Sequence, residues 1–140
     1  MPLSRVVVTG MGAITPIGIG IEMFKEGLFQ GRSGIDKVSR FDASDYPTQI
    51  AAEIKDFDPL QYFDRKDTHH MDRFTQLALV AAREAMQDAG LPGHFDPANV
   101  GVAIGTGIGG LETLIQQQEI LSTRGPRRVS PFLIPKMIAN

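Results

Sequence analysis

Twice in this chain a short β-branched segment runs into a glycine-rich loop and then into a helical pattern. Val6-Val7-Val8 leads through Gly10 and Gly12 to a helical stretch from about Ile21 to Phe29 that ends near Gly31. Val100-Gly101-Val102-Ala103-Ile104 leads through Gly105-Thr106-Gly107-Ile108-Gly109-Gly110 to a helix from about Leu111 to Leu121. An apolar run without polar alternation suits a strand buried on both faces. The expectation is therefore a core strand, a glycine loop and a helix in each stretch.

Between these stretches, residues from Asp72 to Ala89 carry Phe74, Leu77, Ala78, Ala81, Ala85, Met86 and Ala89 at helical spacing. The alanines predict close packing on that face, and Gly90-Leu91-Pro92 is a fitting stop. From Gly31 to about Pro59 the chain is rich in Gly, Ser, Asp and Pro and reads as irregular, apart from one short strand at Ile50 to Ile54. Near the other end, Ser130 can cap and Pro131 can occupy a first helical turn. Phe132, Leu133, Ile134, Met137 and Ile138 form an apolar cluster whose burial calls for later sequence or a partner subunit.

Composition excludes several classes. The 140 residues carry a net charge of -2, which gives no general attraction to nucleic acid or anionic membrane. There is no cysteine, so disulfides, thiolate metal sites and a cysteine nucleophile are absent from these residues. No stretch reaches the ~18 apolar residues of a membrane span and no secretory leader is evident, so a cytoplasmic protein is expected.

Gly105-Thr106-Gly107-Ile108-Gly109-Gly110 satisfies G-x-G-x-x-G, so a small nucleotide-binding protein is one reading. A dinucleotide fold also needs a second strand ending in an acidic residue about 20 positions on, where this chain has Gly125-Pro126-Arg127-Arg128. His69-His70 is the only histidine pair, and neighbouring helical positions point about 100° apart, against a metal site. Arg65, Lys66 and Arg73, interleaved with Asp64, Asp67 and Asp72, read as a solvated helix entrance with local ion pairs. Arg127-Arg128 suits phosphate or carboxylate recognition without choosing a partner. Ile108 and Phe132, taken alone, are core residues.

Taken in order, Val6 to Gly12, Gly31-Arg32-Ser33-Gly34-Ile35, Met71-Asp72-Arg73-Phe74, Gly105 to Gly110 and Pro126 to Phe132 resemble the condensing enzymes, most closely the 3-oxoacyl-[acyl-carrier-protein] synthases of the type II elongating class. The resemblance implies an α/β, thiolase-like fold of layered sheets and helices. Residues 1–140 would form an incomplete N-terminal ketoacyl synthase domain, with the rest of the first half and the whole second half absent. It implies fatty acyl elongation by decarboxylating Claisen condensation with malonyl-acyl carrier protein, in a homodimer, with no cofactor or metal. A ketosynthase or chain-length partner of polyketide synthesis is the neighbouring alternative.

The family's catalytic cysteine and histidines have no counterpart here, so no catalytic residue is assigned and these residues alone are expected to be inactive. For binding, the resemblance puts Ile108 at the mouth of the acyl pocket and Leu133 near a pocket wall contributed across the dimer, where phenylalanine is common. Lys66, Arg127 and Arg128 match basic positions that dock the acidic acyl carrier protein. His69 and His70 stand where Arg or Lys is more usual.

Overall fold

A computed structural model describes residues 5–91 and 96–138. The described residues of Met1–Phe57 and Val80–Phe95 form one compact unit, and those of Asp58–Leu79 and Asp96–Asn140 form another. Helix α3 (Arg73–Asp88) contributes residues to both.

In the first unit, β1 (Ile14–Thr15) pairs antiparallel with β2 (Gly18–Ile19) in the register Ile14 to Ile19 and Thr15 to Gly18. The Thr15 hydroxyl donates to the Gly18 carbonyl at 3.0 Å and closes the Pro16-Ile17 turn. Helix α1 (Ile21–Phe29) follows with the expected bounds. Its first residue has no side-chain cap from Gly20, and the free amide of Ile21 donates instead to Glu84 Oε1 of α3 at 2.6 Å. Glu84 Oε2 accepts from the Ala13 amide, and Asp88, four residues on and so on the same face, accepts from the Met11 amide, both at 2.9 Å.

The alanine stripe packs as expected. A side-chain carbon at Gly10 would overlap the backbone of Ala85 and Ala89, and one at Gly12 would overlap Ala81. Small residues on both sides let the loop backbone lie directly on the helix. The helix ends as its sequence predicts: Gly90 has φ +64°, its amide donates to Gln87 and the Leu91 amide donates to Met86, satisfying two terminal carbonyls. Pro92, read as part of this stop, lies outside the described residues.

The segment read as irregular contains a hairpin. β3 (Ile35–Lys37) pairs antiparallel with β4 (Ile50–Ala52), so the short strand expected at Ile50 is present and its partner was missed. Ile35-Asp36-Lys37 is too short and too exposed to leave a periodic signal. Polar contacts hold it: Lys55 Nζ meets Asp36 at 2.8 Å, and the Glu53 carboxylate accepts from the Ser39 hydroxyl at 2.6 Å and from the Ser39 and Arg40 amides.

The two segments expected as strands, Val6 to Val8 and Val100 to Ile104, are coil. Val6 is 91% and Val102 84% exposed. Neither has a strand beside it among the described residues, and a β-branched run with no ladder partner and no covering layer lacks both interactions that make it a strand.

In the second unit, helix α2 (Arg65–His70) precedes α3, and α4 (Leu111–Arg124) runs three residues past the expected end. Pro126–Arg128 makes a single 3₁₀ turn and α5 (Leu133–Met137) is five residues long. Ser130 Oγ accepts from the Phe132 amide at 3.1 Å, so it caps the turn that precedes α5. Among the described residues, no helix is long and apolar enough to cross a membrane and no cluster of three or more His, Cys, Asp or Glu could hold a metal ion.

Candidate functional site

All seven residues singled out from the sequence lie in the second unit. Lys66, His69 and His70 stand exposed on α2, and Arg127 and Arg128 are exposed on the 3₁₀ turn. Ile108 sits at the outer part of the glycine loop, 71% exposed, and Leu133 opens α5 half-buried.

Two contacts tie these segments together. The His70 imidazole stacks on the Phe132 ring, with centroids 4.3 Å apart and planes inclined by 25°, so α2 reaches the residue next to Leu133. Gly109 and Gly110, which follow Ile108, press against the end of α5: the Gly110 amide donates to the Met137 carbonyl at 3.0 Å. At Gly110 an added side-chain carbon would lie 2.7 Å from the Lys136 carbonyl oxygen and 2.9 Å from Asp72 Oδ2. Gly109 adopts φ +74°, a left-handed backbone that costs a side-chain-bearing residue about 1–2 kcal/mol.

This geometry gives the G-x-G-x-x-G spacing a reason other than a nucleotide. Gly109 and Gly110 let the loop touch its own chain, and Gly105 and Gly107 face open space. A dinucleotide motif would instead directly follow a strand, and residues 100–104 before the loop are not one.

Asp72 corrects the reading of a solvated helix entrance. It is 9% exposed and its side chain accepts a hydrogen bond from Thr113 Oγ1, itself 7% exposed, in the first turn of α4. Gln76, one turn into α3 and 7% exposed, donates to the Thr68 and Met71 carbonyls at 3.3 Å and fastens the end of α2. A polar cleft of about 190 Å³ opens beside this group, with Lys136 on its rim. The sequence reading missed Asp72, Gln76 and Thr113. The available signal was Asp72 directly before the apolar stripe of α3, where short acceptors commonly serve helix starts.

Similarity to known proteins gives the family. Residues 3–140 match the family described as "Beta-ketoacyl synthase, N-terminal domain", and the chain belongs to it. It is 52% identical over 137 residues to "3-oxoacyl-[acyl-carrier-protein] synthase 2" of Synechocystis sp., covering 97% of this chain and 33% of that protein. Among solved structures, a beta-ketoacyl synthase from Burkholderia phymatum superposes with a TM-score of 0.78 at 27% identity, over 97% of this chain and 34% of that one. A type II polyketide ketosynthase, solved in complex with its acyl-carrier protein and bound to a hexaketide, gives 0.75 at 25% identity, over 94% of this chain and 36% of that one. The chain thus spans about a third of the length of the relatives it matches. These likenesses bear out the α/β, thiolase-like fold.

Proposed function

We propose that this chain is the opening part of a longer 3-oxoacyl-[acyl-carrier-protein] synthase that elongates fatty acyl chains. The observation that carries this reading is the 52% identity, across nearly all of the chain, to a protein with that name. In the reaction, a cysteine thiolate outside these residues takes the acyl group from its carrier thioester and releases the carrier thiol. Malonyl-acyl carrier protein then loses carbon dioxide, and the resulting carbanion attacks the acyl-enzyme carbonyl. Carbon–carbon bond formation expels the cysteine thiolate and leaves a 3-oxoacyl chain two carbons longer on the carrier. Helix dipoles and backbone donors suit the thiolate and the developing oxyanion. No redox cofactor or metal is required by this electron balance.

Within this reading, Lys66, His69, His70, Arg127 and Arg128 meet the acidic carrier, Ile108 gates the acyl channel and Leu133 lines its wall near a homodimer interface. Exposure of all five docking side chains supports the first assignment, and the attachment of the Ile108 loop to α5 supports the second. Cytoplasmic location follows from the same reading. The polyketide alternative has only the weaker structural likeness to a polyketide ketosynthase behind it and is separated by product.

The test uses the full-length protein with acyl-carrier donors of six to sixteen carbons. Mass spectrometry should show an acyl-enzyme on a cysteine beyond residue 140, and added malonyl-carrier should give a 3-oxoacyl product extended once. Repeated extension to a polyketide, or no acyl-enzyme, would overturn the fatty acyl reading. Lys66→Glu should raise KM for the carrier about tenfold with kcat little changed, as expected for a rim charge. Ile108→Phe should slow acylation by the longest donors at least about tenfold relative to the shortest, and equal rates across the series would remove Ile108 from the channel.

A further inference from the structure

Ile108 stands on a loop with one free end and one fixed end. A side-chain carbon added at Gly105 or Gly107 would meet nothing within 4 Å, whereas one at Gly109 or Gly110 would meet the backbone of α5 at less than 3 Å. Three contacts do the holding. The Gly109 amide donates to Thr106 Oγ1 at 3.1 Å across the loop, the Gly110 amide donates to the Met137 carbonyl at 3.0 Å, and Thr113 Oγ1 donates to Asp72. The last is the only one of these three between two buried side chains, and it joins the start of α3 to the first turn of α4. Asp72 Oδ2 is also among the atoms packed closest around Gly110.

We propose that the Thr113 to Asp72 hydrogen bond is a positioning clamp that sets where Ile108 sits, and so tunes acyl chain-length selectivity without touching substrate. The clamp rests on the reading of Ile108 as the channel gate. With it closed, the root of the loop is pinned against α5 and only the span from Gly105 to Ile108 swings. With it open, Gly110 loses its wall, α4 can shift along α3, and Ile108 samples a wider arc. A hydrogen bond between buried polar groups is suited to this role because losing one partner leaves the other without solvent, so two discrete states result in place of a gradual drift.

The experiment compares Thr113→Val, which keeps the shape and removes the donor, with Thr113→Ser, which restores it, in the full-length protein. Hydrogen exchange of the peptide covering residues 105–111 should quicken about tenfold in Thr113→Val and return toward the parent rate in Thr113→Ser. Exchange of the middle of α3 should stay as it was. The ratio of kcat/KM between sixteen-carbon and six-carbon donors should change at least about threefold in Thr113→Val, with KM for the carrier unchanged. Asp72→Asn, which weakens the acceptor at constant volume, carries the same readouts if the valine variant is poorly folded.

Unchanged exchange at 105–111 in both Thr113→Val and Asp72→Asn would overturn the clamp. So would quickened exchange with an unchanged chain-length ratio, provided Ile108→Phe does alter that ratio. If Ile108→Phe leaves the ratio untouched, the gate reading fails as well, and the exchange data alone decide whether the clamp exists.

Discussion

Helix α1 begins at a glycine that offers no capping side chain, and Glu84 supplies the missing acceptor from another element. One carboxylate takes the amides of Ala13 and Ile21, which lie on either side of the β1–β2 turn, so it seats that turn and the helix start together. Hydrogen bonds to a charged acceptor are worth about 1.5–3 kcal/mol each, and leaving both amides unpaired in a partly buried place costs more than losing either alone. Glu84→Ala should therefore destabilise the protein by about 2–4 kcal/mol, and Glu84→Gln, which keeps one acceptor, by about half as much. Chemical denaturation of both variants in the full-length protein checks this ordering. Such roles are hard to see in a sequence. Glu84 reads as one more solvated charge on a helix, because its partners are backbone amides with no residue signature. Asp72 was hidden in the same way, inside a run of mixed charge that has an ordinary surface explanation. The basic residues Lys66, Arg127 and Arg128, in contrast, are exposed, as their charge leads one to expect.

The elements found correctly are those whose signal is local. Helix α3 carries its periodicity within sixteen residues and its glycine stop two residues further on, and α1 is bounded by glycines at both ends. The β3–β4 hairpin has no such signal, since its three-residue strands are short and their pairing is supported by Lys55, Glu53 and Ser39, which lie outside the paired residues. Those side chains make it sensitive to pH. The hydrogen bond from Lys55, with that from the Lys37 amide, holds the Asp36 carboxyl below its ordinary value, and the Ser39 hydroxyl does the same for Glu53. Lys55 is pushed up by Asp36. A depressed carboxylate contributes its stabilisation above the ordinary carboxylate range near ~4 and loses it as pH falls through the depressed value. A raised lysine contributes below its ordinary value near ~10.4 and loses the contribution as pH rises through the raised one. The hairpin should be tightest between these limits. The Val38 amide, which donates to Gln49 at 3.0 Å beside it, should show faster intrinsic-corrected exchange at pH 3 than at pH 6. Because these groups are exposed, the effect is local and salt should weaken it. Equal protection at both pH values would show that the backbone ladder alone holds the hairpin.

Across the whole molecule, the buried apolar set among the described residues is small: Ala43, Phe57, Phe63 and Val80. Large apolar side chains stand in solvent at Val6, Val8, Phe29, Val102 and Ile108. A domain stabilised by so few buried side chains does not easily offset the conformational entropy of ordering its backbone. A polypeptide of these 140 residues should therefore bind a hydrophobic dye strongly, unfold without a sharp transition and form no acyl-enzyme. A full-length protein should bind little dye and melt cooperatively, and calorimetry of the two side by side tests the contrast. This is also why the expected core strands could be read as strands from their residues and yet are coil: their pattern states that they need neighbours without saying where those neighbours come from. For a protein as long as its relatives, the bare valines of Val6 to Val8 have a consequence during synthesis. They leave the ribosome with most of the chain still to be made. At roughly 5–20 residues per second, that leaves an adhesive edge uncovered for on the order of ten seconds to a minute, long enough for a chaperone to be its first binding partner.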